Sequence, residues 1–179
     1  DNTIVLFTSD HGELLGDHGI WAKGPFHYEQ LIRVPLIARW PAEWSMRGRR
    51  SEVASLVDVT PTLLAAANVE HDTRSMDGRD LTGSLDGDAP WPRTCSLTEY
   101  VDNRNDLRLK TIVTADRKLT RYVGREFGEL YDLEADPREK VNRWNDPVYS
   151  TDKVELLSTM LDLAEPIEED LRQNRIGRN

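Results

Sequence analysis

Between Thr8 and Glu29 the sequence reads TSDHGELLGDHGIWAKGPFHYE. That run holds three histidines, four carboxylates, one lysine and four glycines in 22 residues. Each residue type suits a particular chemistry. The carboxylate of Asp10 fits a hard divalent cation such as Ca²⁺, Mg²⁺ or Mn²⁺. The adjacent imidazole of His11 shifts the preference toward Mn²⁺ or Zn²⁺, or serves as an oriented neighbour. Gly12 lets the backbone turn tightly beside such a ligand. Lys23, in Trp-Ala-Lys-Gly-Pro, can reach an anionic substrate oxygen as a compact point charge. His27 can donate to the same anion or to a leaving group. Glu13, Asp17 and His18 carry the same donor types, and nothing in the pattern separates them from ordinary loop residues. The spacing also fits a plain turn closed by an Asx hydrogen bond at Asp10, with Lys23 solvated and His18 and His27 structural.

The elements that position these residues follow from the apolar pattern. Residues 3–8 (TIVLFT) form a short β-rich run without alternation, the pattern of a strand buried on both faces, as in a parallel sheet. Ligand sites in such sheets lie just beyond the carboxyl ends of the strands, where Asp10 and His11 stand. Residues 29–32 suit one helical turn. Residues 33–40 (RVPLIARW) suit a second buried strand, with Pro35 at its start or on an edge. A Pro/Gly/Arg-rich loop follows. Residues 57–68 predict a helix capped by Asp58 or Thr60, with Pro61 in its first turn and Asn68 at its end. Residues 72–92 form a long polar connection, the natural place for a subdomain boundary.

Beyond it the periodicity changes. Residues 96–101, 107–114 and 118–123 are β-type, with a hairpin turn at 115–117, and 129–133 (ELYDL) is a further strand or turn. Residues 152–172 carry apolar positions at helical spacing, with Pro166 expected to kink or interrupt the helix.

Composition sets limits on function. The 179 residues carry a formal net charge of −9. That disfavours nucleic acid as a partner, since a binder of that kind needs a basic stripe. No apolar run reaches the roughly 20 residues of a membrane span. The single cysteine, Cys95, excludes an intrachain disulfide and a cysteine-based zinc site, and reads as a small buried residue. The chain opens on Asp1 without a signal pattern and enters a strand at once, which suggests a piece of something longer; the compartment stays open.

Several stretches together carry a resemblance. They are Thr8-Ser9-Asp10-His11-Gly12-Glu13, Leu15-Gly16-Asp17-His18-Gly19, Trp21, Lys23, Phe26-His27-Tyr28-Glu29 and Arg33-Val34-Pro35-Leu36-Ile37. Later come Leu56-Val57-Asp58-Val59-Thr60-Pro61-Thr62, Met76-Asp77-Gly78-Arg79-Asp80-Leu81, and Glu129-Leu130-Tyr131-Asp132-Leu133 with Asp136-Pro137 and Glu139. In this order they resemble the C-terminal half of a type I sulfatase, of the alkaline-phosphatase-like superfamily, a group that includes the closely similar phosphonate monoester hydrolases. The fold implied is α/β. Residues 1–93 would be the truncated C-terminal part of the catalytic sheet domain. Residues 94–179 would be a small antiparallel sheet with a covering C-terminal helix.

The resemblance also implies roles. Asp10 is a metal ligand. His11, at a position that is Asn in many sulfatases and His in others, also faces the metal. Lys23 binds the oxygens of the transferred sulfate or phosphonate and stabilises developing charge. His27 lies at the pocket rim, the second candidate catalytic residue. The implied cofactors are a divalent metal, calcium first with manganese, magnesium or zinc as alternatives, and a formylglycine. In this family the formylglycine hydrate attacks sulfur in line while an acid protonates the leaving alcohol.

Formylglycine derives from Cys or Ser in Cys/Ser-x-Pro-x-Arg, which this chain lacks; Cys95 precedes Ser-Leu-Thr-Glu. The family's N-terminal Asp pair is missing as well. Two ligands make a weak site for a cation that takes about six or more oxygens. The sequence therefore predicts a C-terminal fragment of a sulfatase, inactive alone, whose parent hydrolyses sulfate esters of small molecules or sulfated sugars. The fragment is expected to expose a sheet edge and to self-associate. A fragment of a phosphonate monoester or phosphodiester hydrolase is the alternative, and a non-catalytic binding module is the reading from another class.

Overall fold

The structure of the chain is a computed structural model that describes residues 2–41, 44 and 47–176. It divides into two compact units. The first comprises Asp1–Lys23 and Gln30–Ser96, the second Gly24–Glu29 and Leu97–Asn179.

In the first unit two short strands, β1 (Val5–Thr8) and β2 (Leu36–Arg39), form an antiparallel ribbon with Phe7 opposite Ile37. Both segments are the strands that the sequence predicts, but their surroundings differ from the expectation of a parallel sheet buried on both faces. Phe7 and Ile37 are each 62% exposed, and Val5 and Leu36 are exposed too. A continuous apolar run marks a strand suited to burial; it does not encode the direction of its neighbour or what covers it. The short helix α1 (Glu29–Ile32) lies between the two strands in sequence. Gly12 donates its N–H to the Leu31 carbonyl at 2.7 Å, and a Cβ at Gly12 would lie 1.9 Å from the Gln30 carbonyl oxygen. Only glycine permits that approach.

The helix α2 (Val59–Ala66) follows a 3-10 turn over Leu56–Asp58 and is followed at Asn68 by the left-handed φ of 53° expected of a stop signal. Asp58 sits at the N-cap position but does not cap α2 through its side chain. Its carboxylate, 1% exposed, accepts from the N–H groups of Ser55 and Arg79 at 2.8 Å each and from Arg93 Nε at 3.0 Å. Three competing donors outbid the cap. The 72–92 connection holds a 3-10 turn (Thr73–Ser75) and the short helix α3 (Thr82–Asp86). Cys95 is buried, as expected.

The second unit is built on a four-stranded sheet of β3 (Ser96–Asp102), β4 (Leu107–Val113), β5 (Arg117–Tyr122) and β6 (Gly128–Asp132), in that order. β4 pairs with β5, and β5 with β6, antiparallel. Alternation gives the sheet two unlike faces. One carries Ile112, Leu119 and Leu130, all with no exposed surface. The helix α4 (Ser150–Ile176) runs along β4 and β5, and Arg117, on the same face as Leu119, donates to Asp152 of α4 at 2.9 Å. Leu156, Met160 and Ala164 of α4 are buried. Leu156 and Met160 each contribute about 1.5–3 kcal/mol by leaving water, and the single methyl of Ala164 less.

The other face carries Thr111, Lys118, Thr120, Glu129 and Tyr131, with Lys118 opposite Tyr131 and Thr120 opposite Glu129. It is polar, yet Lys118 and Thr111 have no exposed surface and Thr120 only 1%. The helix α4 continues through Pro166 instead of stopping there. A proline removes one hydrogen bond from a helix, and the long stretch before it is already fixed by packing on the sheet.

Candidate active site

The loop after β1 brings three of the predicted residues together in the first unit. Asp10 accepts the backbone N–H of His11 at 2.9 Å through Oδ1, and Ser9 Oγ donates to the His11 carbonyl at 2.6 Å. These bonds close the turn within the chain's own short polar side chains, as an Asx-type loop does. His11 Nδ1 lies 2.7 Å from the Gly12 carbonyl, so Nδ1 is assigned the proton. The lone pair is thereby left on Nε2, which lies 2.9 Å from Lys23 Nζ and 3.7 Å from Asp10 Oδ2. A backbone carbonyl that fixes one ring nitrogen and frees the other is the arrangement that orients a metal-binding histidine.

The site is open. The Asp10 side chain is 87% exposed and that of His11 39%. The His11 backbone N–H holds the Asp10 carboxyl below its ordinary range. Chemically the cluster offers one carboxylate oxygen pair, one imidazole lone pair and one ammonium. Among the described residues no group of three or more His, Cys, Asp and Glu side chains is arranged to hold a metal ion. The donor types fit a divalent cation, but the set is short of a full coordination sphere. Lys23, with three donors and no acceptor, is the member whose chemistry suits an anion.

His27 stands in the second unit. It is 4% exposed, and its Nδ1 lies 2.7 Å from Thr111 Oγ1, which in turn lies 2.8 Å from Thr120 Oγ1. The ring meets Tyr100 edge-on at 6.4 Å. Burial, and then the charge of Lys118, push the His27 imidazole down to about 4, so the ring is neutral at pH 7. The unfolded chain takes up this proton near 6.5, while the folded chain refuses it until about 4. Stability is therefore complete above the unfolded value and falls as pH drops from 6.5 to 4, by a total on the order of 3 kcal/mol. Urea midpoints measured across that window should fall more steeply for the protein than for a His27→Asn variant; parallel curves would exclude this linkage.

The sequence did not single out Lys118, and it named Glu139 only within a stretch that carries the resemblance, not as a buried charge. Lys118 lies in an alternating strand whose polar positions resemble a solvent face. The one available signal is that this face also carries Thr120 and Tyr122, small or semi-polar groups unlike the charges of a typical exposed strand.

The family model described as N-sulphoglucosamine sulphohydrolase, C-terminal, matches residues 16–166. An N-acetylglucosamine-6-O-sulfatase of Bacteroides thetaiotaomicron is 34% identical over 167 residues, which cover 89% of this chain and 30% of that protein. A phosphonate monoester hydrolase of Agrobacterium radiobacter superposes with a TM-score of 0.78 at 28% identity, over 92% of this chain and 35% of that one. A structure in complex with D-glucosamine-2-N,6-O-disulfate superposes with a TM-score of 0.77 at 30% identity, over 94% of this chain and 35% of that one. The chain thus spans about a third of the length of the proteins it matches. No described helix is long and apolar enough to cross a membrane.

Proposed function

Because the chain belongs to the type I sulfatase family, as its C-terminal part, we infer that it supplies the anion clamp and two metal ligands of a sulfate-ester hydrolase. The observation that carries this reading is the convergence of Asp10, His11 and Lys23, with His11 Nε2 left free of a proton and 2.9 Å from the lysine. In this reading the Asp10 carboxylate and His11 Nε2 hold a divalent cation. Calcium is first by the hardness of the carboxylate, with magnesium, manganese or zinc as the alternatives. When bound, that cation polarises an ester oxygen. Lys23 then neutralises charge that develops on the transferred group, and its flexible stem lets the ammonium move from His11 to the anion. His27, neutral and buried in the second unit, fixes the backbone of its own segment through Thr111.

The remaining ligands and the formylglycine nucleophile are contributed by residues outside this chain, and the chain alone is inactive. The exposed pair of Phe7 and Ile37 on the β1–β2 ribbon supports self-association of the isolated chain, since contiguous apolar surface on a paired strand edge is seldom left open to water. The substrate class is a sulfate ester of a small molecule or a sugar, in keeping with the sulfated glucosamine held by one structural relative.

A phosphonate monoester is the second reading. The likeness to the phosphonate monoester hydrolase favours it, and the same cation-plus-lysine chemistry serves it. Peptide mapping by mass spectrometry of the native polypeptide tests the shared nucleophile. An upstream Cys/Ser-x-Pro-x-Arg peptide carrying the formylglycine aldehyde is expected. A native polypeptide without such a peptide would overturn the reading.

A further inference from the structure

A strand at the end of a sheet turns a row of backbone N–H and C=O groups outward, where another strand can pair with them. In the second unit β6 holds such a position, with β5 on its other side. Strands in that place are commonly guarded by lysine, proline or a bulge. β6 reads Gly-Glu-Leu-Tyr-Asp and has neither lysine nor proline. It is also complementary to itself. Set antiparallel against a second copy about Leu130, it places Glu129 opposite Tyr131 and Gly128 opposite Asp132, so no two carboxylates face each other. Gly128, Leu130 and Asp132 are the hydrogen-bonding positions of that register, because alternate residues of a strand share one side.

The edge is nevertheless occupied, by residues of the same unit that form no strand. Asn142 Oδ1 accepts the Leu130 N–H at 3.0 Å, and Asn142 Nδ2 donates to the Gly128 carbonyl at 2.9 Å. The next N–H, that of Arg143, reaches the Leu130 carbonyl at 2.7 Å. The Asp132 carbonyl accepts the Asp136 N–H at 2.8 Å. The partners assign the orientation of the Asn142 amide: the N–H groups of Leu130 and Trp144 need an acceptor, and the Gly128 carbonyl needs a donor. One carboxamide thus offers β6 the donor and the acceptor of a peptide unit.

The segment is fastened in place. The Trp144 ring lies against Gly128, where a Cβ would come within 2.5 Å of it. Lys153 of α4 donates to the Trp144 carbonyl at 2.7 Å, and its ammonium lies 4.6 Å from the ring centre. From this geometry we propose that Asn142 guards the β6 edge. Its carboxamide stands in for a peptide unit of a fifth strand and keeps β6 from pairing antiparallel with the β6 of a second copy.

The test is made in the full natural-length protein. Asn142→Ala removes both the acceptor for Leu130 and the donor for Gly128. In dilute solution its Leu130 amide should exchange at least about tenfold faster than the parent's, with β4 unchanged. As concentration rises, sedimentation should show the mass of the variant growing toward double that of the parent, and the Leu130 amide should regain protection. Asn142→Asp keeps the acceptor and loses only the donor, so it should fall between the two.

An alanine variant that keeps the parent's mass at every concentration would overturn the proposal, whatever its thermal midpoint. So would association that leaves the Leu130 amide unprotected, since the copies would then meet elsewhere. If Asn142→Ala does not fold, Asn142→Asp is read by the same two measurements.

Discussion

Lys23→Ala in the full natural-length protein should lower kcat/KM on a sulfate ester by about 10²–10³-fold, the usual loss when one preorganised donor to a developing oxyanion is removed. Lys23 is exposed and bonds His11 Nε2 at 2.9 Å across a site that is open to solvent. Surface residues of this kind contribute within about 0.5 kcal/mol to folding, so the thermal midpoint should hardly move. Lys23→Arg should recover part of the rate at most, because a planar guanidinium does not present the compact charge of an ammonium. An alanine variant with the parent's kcat/KM would remove Lys23 from the chemistry.

Asp58→Asn should cost about 3–5 kcal/mol of stability, the range for leaving one partner of a buried ion pair without the other. The size of the loss follows from where the carboxylate's bonds go. Asp58 is fully enclosed, and it serves two backbone N–H groups and the Arg93 guanidinium at once, with the Arg93 side chain 13% exposed. An amide keeps one acceptor oxygen and leaves Arg93 with no counter-charge. A native protein has only about 5–15 kcal/mol in hand, so the thermal midpoint should drop by roughly 10 °C. The double replacement Asp58→Leu with Arg93→Met should recover much of the loss, since it removes both charges together. A single Asp58→Asn variant within about 1 kcal/mol of the parent would contradict the account of this cluster.

Where the sequence could be read, the reason lies in local pattern. The strands β3 to β6 announce themselves by alternation bounded by turn residues, and α4 by its apolar repeat. Asn68 marks the end of α2 because it tolerates left-handed backbone at low cost. The cluster of Asp10, His11 and Lys23 was legible as residue types at a strand end. The tautomer of His11 was not, because it depends on the Gly12 carbonyl folding back within reach.

The failures have a common cause in tertiary context. The apolar run of β1 says that the strand suits burial, and says nothing of an antiparallel neighbour or of exposed Phe7. Lys118 is enclosed on the polar face of β5 because the distant Glu29 and Glu139 supply its counter-charges, which no local pattern reveals. Asp58 was one of two candidate caps with Thr60, since no local pattern reveals an arginine 35 residues on that claims its carboxylate.

The central expectation is that this chain holds the anion clamp and two ligands of a site completed by other residues. Side-by-side turnover of an aryl sulfate and a phosphonate monoester, by the full natural-length protein and by the 179-residue chain alone, tests it most directly. The full-length protein should hydrolyse the sulfate ester faster than the phosphonate, and the chain alone should hydrolyse neither. Turnover of the aryl sulfate by the chain alone, abolished by Lys23→Ala, would contradict the claim.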